Sequence, residues 1–200
     1  MIRIVETELV NSTGRYDKLP SPDLPEVAFA GRSNVGKSSL LNALTERKNL
    51  FKVSKTPGRT RTIVHVRARL DIKKEIYLVD LPGYGYAKIS KQASFAWGQL
   101  IENYLKNRPT LHLVVVLVDV RRGPEDEEFE LLDFLAKERV PVLLVATKLD
   151  RVQKHKRKAV LNQLMKKATI RVLGTSANTK EGIADLTRII SQSCGFRDSS

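Results

Sequence analysis

Gly31-Arg32-Ser33-Asn34-Val35-Gly36-Lys37-Ser38 is the stretch of this 200-residue chain that decides its fold. It fits the pattern G-x-x-x-x-G-K-[ST], in which backbone N–H groups surround the phosphates of a nucleoside triphosphate. The two glycines allow the tight turn, and Lys37 can reach the β- and γ-phosphates. The Ser38 hydroxyl can occupy one position on an octahedral Mg²⁺. The sequence therefore predicts a phosphate-binding loop at residues 31–38.

The segments on either side of this loop support the prediction. Residues 27–30, Val-Ala-Phe-Ala, are typical of a short buried strand, and residues 38–47 are typical of a helix with Leu40, Leu41 and Leu44 on one side. Such a helix would point the positive end of its dipole at the bound phosphates.

The composition indicates an ordinary globular protein of one domain. Apolar residues make up 42% of the chain and charged residues 28%. A single cysteine, Cys194, excludes an internal disulfide and suits a reducing cytosol. The first residues lack the apolar core of a signal peptide, and no apolar run approaches membrane-spanning length. We therefore expect a cytoplasmic protein with no membrane insertion.

The charge is strongly basic and unevenly distributed. Thirty-five Lys and Arg against 22 Asp and Glu leave a net charge of +13. Residues 47–74 contain ten basic residues and one acid, and residues 151–171 contain eight basic residues and no acid, whereas residues 123–138 contain seven acids and one lysine. A surplus of this kind favours a polyanionic partner such as nucleic acid, or an anionic membrane surface.

Strand-like and helix-like segments alternate from residue 27 onward. The predicted strands cover residues 27–30, 63–70, 75–79, 111–118, 140–146 and 171–175, and the predicted helices cover 38–47, 90–106, a segment in which Pro124 lies in the first turn, 153–168 and 179–193. This order predicts an α/β fold of three layers, with a mostly parallel six-stranded sheet and helices on both faces.

The first 26 residues are expected to be an N-terminal extension and linker packed on a domain at 27–200. Ile2, Ile4 and Leu9 are candidates for a short edge strand. Residues 11–25 contain three prolines and are predicted to be a connecting loop.

Three later motifs specify what binds beside the phosphates. In Asp80-Leu81-Pro82-Gly83 the carboxylate can hold Mg²⁺ through water, and the glycine N–H can sense the γ-phosphate. In Thr147-Lys148-Leu149-Asp150 the terminal carboxylate can accept hydrogen bonds from N1 and the 2-amino group of guanine, the Lys148 stem can lie against the base, and the Thr147 hydroxyl can also form a hydrogen bond. Backbone N–H groups of Thr175-Ser176-Ala177 can meet the guanine O6.

A basic segment, Lys55-Thr56-Pro57-Gly58-Arg59-Thr60-Arg61-Thr62, lies between the loop and Asp80. A switch loop needs a threonine whose hydroxyl completes the Mg²⁺ shell and whose N–H contacts the γ-phosphate. The threonines of this segment compete for that role, and spacing alone does not choose among them.

Taken together, G-R-S-N-V-G-K-S-S-L-L-N, K-T-P-G-R-T-R-T, D-L-P-G-Y-G-Y-A, T-K-L-D and T-S-A-N resemble the EngB/YsxC (YihA) family of bacterial GTPases, which stands beside TrmE, Era and EngA. The resemblance covers essentially the whole chain. It implies that Thr60 binds Mg²⁺ and that Gly58, Arg59, Thr60, Arg61 and Thr62 approach the nucleotide. It also implies GTP and GDP binding, slow hydrolysis, assembly of the large (50S) ribosomal subunit, and a requirement for normal cell division and septation.

The expected catalytic residues are Lys37, Thr60 and Asn34. Tyr84 stands where Ras-like proteins carry the glutamine that orients the attacking water. Tyr84 is either a switch-loop packing residue, which we favour, or a hydrogen-bonding group, and hydrolysis is expected to be slow without a partner. Related GTPases with asparagine at the position of Asn34 can coordinate K⁺ there, which makes K⁺ a hypothetical cofactor.

The expected partner is the precursor of the large ribosomal subunit, through its rRNA and ribosomal proteins, bound by a monomer. A protein-binding switch that acts directly on the division apparatus without RNA contact is the alternative. An ATP-dependent small-molecule kinase fits less well, because nothing in the sequence resembles a lid or an acceptor site.

Overall fold

The computed structural model of the chain describes residues 2–51, 62–83 and 91–196, and only the backbone of 91–97. Its strands are β1 (Ile4–Thr13), β2 (Glu26–Gly31), β3 (Ile63–Leu70), β4 (Glu75–Asp80), β5 (Leu111–Asp119), β6 (Val142–Thr147) and β7 (Val172–Gly174). Its helices are α1 (Lys37–Leu44), α2 (Lys91–Asn107), α3 (Asp126–Lys137), α4 (Arg157–Ala168) and α5 (Ile183–Ser193). Short 3₁₀ turns occupy Tyr16–Lys18, Leu149–Arg151 and Lys154–Lys156.

All seven strands form one sheet in the order β1-β3-β4-β2-β5-β6-β7. The pairs from β4 to β7 are parallel, whereas β1–β3 and β3–β4 are antiparallel. The predicted α/β fold with a mostly parallel sheet is confirmed. The parallel part needs crossover helices, since a parallel pair cannot be joined by a tight turn.

The predicted number of six strands is wrong, because residues 4–13 form a full edge strand. β1 pairs with β3 from Ile4 opposite Leu70 to Thr13 opposite Ile63, so residues 11–13 belong to a strand and not to the predicted loop. Leu9 is 56% exposed, and the strand is held by backbone pairing and by ion pairs such as Glu6–Arg69. Neither interaction requires apolar residues at alternate positions, so the apolar pattern of the sequence did not indicate the full length of this strand. The division of the chain at residue 26 stays a prediction.

Two apolar clusters lie on opposite faces of the sheet. Along β2, Val27 and Phe29 belong to the cluster covered by α1 and α5, while Ala28 and Ala30 belong to the cluster covered by α2, α3 and α4. The expected helices on both faces are therefore confirmed. Within the described residues, no helix is both long enough and apolar enough to cross a bilayer.

Several helix starts differ from the predicted bounds. α4 begins at Arg157 after a 3₁₀ turn, and not at 153. α5 begins at Ile183 because Gly182, at a φ of 74°, lies in the left-handed region before it. Pro124 precedes α3 instead of lying in its first turn. Glu125 is the N-cap there and forms a reciprocal capping box with Glu128.

A buried polar cluster surrounds Glu26 at the start of β2. The fully buried Glu26 carboxylate accepts hydrogen bonds from Tyr104 at 2.7 Å, from Arg108 Nε at 2.7 Å and from Thr110 at 2.8 Å. His65 Nε2 lies 3.4 Å from it. Burial alone would raise the pKa of Glu26, but His65, Arg108 and Tyr104 reverse that effect and lower the pKa to about 2. The cluster joins β2, β3 and α2 at the end of the sheet remote from the phosphate loop.

Replacing Glu26 with Gln should lower the free energy of unfolding at pH 7 by about 3 kcal/mol, because it leaves the buried Arg108 charge unpaired. The pKa of Glu26 is lower in the folded state, so its contribution is present above the unfolded value of 4.5 and is lost as the pH falls toward 2. Urea unfolding at several pH values should show the two proteins converging below pH 4.5. A constant difference between pH 7 and pH 3 would contradict this role.

Candidate nucleotide-binding site

The predicted site residues follow the carboxyl ends of the parallel strands. β2 leads into the loop at 31–38, β4 into Asp80-Leu81-Pro82-Gly83, β6 into Thr147-Lys148-Leu149-Asp150 and β7 into Thr175-Ser176-Ala177. Because these strands run in the same direction, the four segments meet at one edge of the sheet, where open α/β sheets bind their ligands.

The loop at 31–38 has the strand–loop–helix context that the motif requires. Gly36 adopts a φ of 104° immediately before α1, a conformation in which other residues are strained. A Cβ at Gly31 would lie 2.9 Å from Val35 Cγ1 and 3.1 Å from Leu117 Cβ, so this position has room for glycine only. The loop therefore packs tightly against Leu117 of β5 at Gly31.

Lys37 connects the loop to the motif after β4. Its ammonium donates hydrogen bonds to the Asp80 carboxylate and, at 2.7 Å, to the Leu81 carbonyl oxygen. The Lys37 and Asp80 side chains are only 11% and 13% exposed. Gly83 lies close by, since a Cβ there would be 3.5 Å from the Ser33 nitrogen. The structure thus brings the expected phosphate-binding and γ-phosphate-sensing residues together.

The same region has the donor chemistry that Mg²⁺ prefers. Ser38 lies half-buried in the first turn of α1, and Asp80 is the carboxylate nearest to the loop lysine. No group of three or more His, Cys, Asp or Glu that could hold a metal exists among residues 2–51, 62–83 and 91–196. A hydroxyl and a carboxylate fit Mg²⁺ bound mainly through water and phosphate oxygens. When bound, the ion would neutralise charge on those phosphate oxygens.

Thr147 connects the segment at 147–150 to the loop at 31–38. Its buried hydroxyl lies 2.6 Å from the Val35 carbonyl oxygen and 3.0 Å from that of Val118, so it donates to one or the other. Its place is therefore between the phosphate loop and the end of β5. In this position the threonine determines where the loop lies relative to β6.

Lys148 and Asp150 are each held by other site segments. Lys148 Nζ donates to the Asn34 carbonyl oxygen at 2.8 Å. The Ser176 hydroxyl donates to Asp150 Oδ1 at 2.6 Å, and that hydroxyl oxygen accepts the Thr179 N–H at 3.1 Å. The Leu149 N–H donates to the Thr175 carbonyl oxygen at 3.0 Å. These contacts orient the Asp150 carboxylate. Thr175 and Ser176 are buried and their N–H groups donate to the Ala146 and Glu181 carbonyl oxygens, so the predicted contact with guanine O6 falls to the half-buried Ala177.

Most of the remaining predicted residues lie outside the described part of the chain. Gly58, Arg59, Thr60, Arg61 and Tyr84 lie outside the described residues. Thr62 is described at the start of β3, where its hydroxyl lies 2.9 Å from the Ser12 hydroxyl of β1. Their contacts with nucleotide stay predictions.

Four ion pairs beside the loop, two formed by Arg32 and two by Asp119, were not predicted from the sequence. Arg32 pairs with Glu125 and, at 3.3 Å, with Glu127 at the start of α3. Asp119, the last residue of β5, pairs with Arg121 at 2.7 Å and with Lys148 at 3.1 Å. The Arg121 guanidinium holds the pKa of Asp119 well below its usual range. All of these residues except Glu127 border a cleft of about 380 Å³ between the loop and α3. A carboxylate that ends a buried strand in this fold is the signal that would have identified Asp119.

Comparison with known proteins agrees with this geometry. Residues 26–148 match the family model described as 50S ribosome-binding GTPase. A "Probable GTP-binding protein EngB" of Geobacter metallireducens is 44% identical over 184 residues, which cover 90% of this chain and 88% of that protein. The chain belongs to the EngB family of GTPases. The corresponding EngB protein of Thermotoga petrophila is 43% identical over 192 residues, covering 94% and 96%.

A solved structure supports the same family at the level of the fold. The crystal structure of a probable GTP-binding protein EngB aligns with a TM-score of 0.68 at 26% identity, over 86% of this chain and 100% of that one. The family resemblance inferred from the motifs is confirmed.

Proposed function

We propose that this GTPase is a molecular switch in assembly of the large ribosomal subunit. It would act as a cytoplasmic monomer that docks on rRNA, hydrolyses GTP slowly with Mg²⁺, and is needed for normal cell division and septation. The observation that carries the proposal is a surface of unpaired cations that begins directly after the predicted guanine-binding motif.

The phosphate end of the site would work by exchange of partners. Lys37 is held by Asp80 and the Leu81 carbonyl, and a bound β- or γ-phosphate would take over its ammonium. The freed Asp80 and the Ser38 hydroxyl would then face Mg²⁺. Gly83, which lies against the loop, is placed to report whether a γ-phosphate is present, and Thr60 would complete the ion's shell.

The base end of the site would read guanine through Asp150. Its carboxylate accepts hydrogen bonds, whereas adenine offers no donor at the matching ring nitrogen and lacks the 2-amino group. The Lys148 stem would cover one face of the base. Since Ser176 already holds Oδ1 in place, the carboxylate is oriented before the base arrives.

Replacing Asp150 with Asn should weaken GTP binding by roughly 100-fold or more, because an amide donor would face guanine donors, and should increase binding of xanthosine triphosphate. Fluorescent-nucleotide titration with competing GTP, ATP and XTP measures both effects. The matched control is Asp133→Asn, an exposed aspartate of α3. If GTP affinity in Asp150→Asn stays within a few-fold of the parent, Asp150 does not read the base.

Asn34 carries the K⁺ hypothesis. Its side chain is exposed at the loop, and its backbone has a φ of 63° with the carbonyl oxygen bonded to Lys148. A cation beside this residue would compensate for phosphate charge that Tyr84 cannot neutralise. Single-turnover hydrolysis with ribosomal particles present should be faster in KCl than in NaCl, and equal rates would remove K⁺ from the proposal.

The cationic surface consists of exposed residues on the 3₁₀ turns, α4 and the start of β7. Its members are Arg151, Lys154, Lys156, Lys158, Lys166 and Arg171. Within the described part of the chain none of these six forms an ion pair, whereas Arg157 pairs with Glu181. Six uncompensated charges between residues 151 and 171 create a positive potential that attracts a phosphate backbone.

The position of these charges is unfavourable for folding. Lys154, Lys156 and Lys158 surround the N-terminus of α4, where the helix dipole disfavours cations, and the first turn contains no acid and no side-chain cap. A cost to local stability without a structural gain indicates that the residues serve binding. Few aromatic residues accompany them, so we expect recognition of the RNA backbone and shape.

Replacing Lys154, Lys156 and Lys158 together with Gln should lower the salt dependence of rRNA binding. Three lost phosphate contacts reduce the slope of log affinity against log salt by about 2 to 3. Filter binding of deproteinised large-subunit rRNA between low and moderate salt measures the slope. Thermal unfolding should show equal or higher stability of the variant, because the dipole conflict is relieved.

The control removes the same charge elsewhere, in Lys18, Lys73 and Lys137, which are exposed on other elements. This variant should retain most of the salt slope. Equal slopes in the two triple variants would place RNA contact elsewhere. Binding to ribosomal particles that does not vary with salt would instead favour the protein-binding switch of the division apparatus.

A further inference from the structure

Asp119 lies at the junction of the site segments, although no sequence motif identified it. It is the last residue of β5 and pairs in the sheet with Thr147, the last residue of β6. Its side chain is only 10% exposed. A nearly buried carboxylate in this place must be compensated, and the structure shows how.

Arg121 fixes the Asp119 carboxylate on one side. The guanidinium donates from Nε to Oδ1 at 3.0 Å and from its terminal nitrogen to Oδ2 at 2.7 Å. The Arg121 backbone N–H also donates to Oδ1 at 3.0 Å. Three donors on one carboxylate leave it a single orientation.

Lys148 lies on the other side of that carboxylate. Its ammonium is 3.1 Å from Asp119 Oδ2 and 2.8 Å from the Asn34 carbonyl oxygen. The residue has a φ of 60°, so the backbone turns sharply and directs the side chain back over the phosphate loop. Both ends of a flexible four-carbon stem are thereby fixed.

We propose that Asp119 is a positioning residue, which holds Lys148 extended across the phosphate loop so that base and ribose meet a preformed surface. Arg121 supports it by holding the carboxylate. An unrestrained lysine would lose side-chain entropy on binding, and a restrained one loses less. The inference rests on the proposed role of Lys148 in nucleotide binding and is independent of any RNA contact.

Simple electrostatics predicts the opposite effect on nucleotide affinity when the Asp119 charge is removed. A carboxylate close to the loop repels a nucleotide polyphosphate, so removing its charge should strengthen binding. If Asp119 positions Lys148, removing its charge should instead weaken nucleotide binding. Positioning also predicts equal weakening for GDP and GTP, because Lys148 lies toward the base and not toward the γ-phosphate.

The test is a double-mutant cycle with Asp119→Asn and Lys148→Met, measured as Kd for GDP and for GTP. The methionine keeps an apolar stem and removes the ammonium. Asp119→Asn alone should raise both Kd values about 10-fold, the size expected from loss of one charge-assisted hydrogen bond. In the Lys148→Met background the same substitution should change Kd less than about twofold, since the ammonium that Asp119 holds is absent. Asp133→Asn, the same substitution at an exposed position of α3, is the matched control and should match the parent.

Three results would overturn the proposal. The first is tighter nucleotide binding by Asp119→Asn than by the parent. The second is an equally large effect of Asp119→Asn on Kd when Lys148 is already Met. The third is an unchanged Kd in Lys148→Met alone. The third result would also remove Lys148 from the proposed nucleotide site. Asp150→Asn tests the proposed reading of guanine separately. If Asp119→Asn does not fold, the cycle is run with Arg121→Gln, for which a smaller effect, also dependent on Lys148, is expected.

Discussion

Strand β2 is buried on both faces and hydrogen-bonded along both edges, and the rest of the structure depends on this constraint. Val27, Ala28 and Phe29 have no exposed surface, and β4 and β5 flank the strand in parallel. A strand in this position needs apolar residues throughout and helices on both sides of the sheet. Its parallel neighbours direct their carboxyl ends to the same edge, which is why four distant segments of sequence form one site.

Within the candidate site, the segment at 147–150 and the phosphate loop are in direct contact. The Thr147 hydroxyl lies 2.6 Å from the Val35 carbonyl oxygen and Lys148 Nζ donates to the Asn34 carbonyl oxygen, so this segment contacts the loop at two successive backbone oxygens. Lys37 makes a third connection, because its ammonium donates to the Asp80 carboxylate and to the Leu81 carbonyl oxygen and so joins the loop to the segment after β4. Acidic α3 and basic α4 cover the same face of the sheet, so their opposite charges lie next to each other there.

Sequence patterns predicted the parts of the fold that rest on burial and on backbone turns. The apolar runs of β5 and β6 and the glycines of the loop each follow from a local rule, and each was found within a few residues of its predicted place. The edge strand β1 was underestimated, because pairing with β3 and ion pairs such as Glu8–Arg67 stabilise it without apolar alternation. Helix α5 began late for a related reason, since the left-handed turn at Gly182 is set by close packing against Gly174.

The sequence by itself determined the family and the α/β sheet of this protein, placed its two basic segments, and predicted a loop for phosphates and a carboxylate for guanine. These properties depend on residue type and short spacing, which a single chain displays. Only the tertiary structure decided which charges meet. Asp119 and Lys148 are separated by 28 residues of the chain, and Arg32 and Glu125 by still more, yet each pair is in contact. Their attraction depends on distance and burial, and both are properties of the folded sheet.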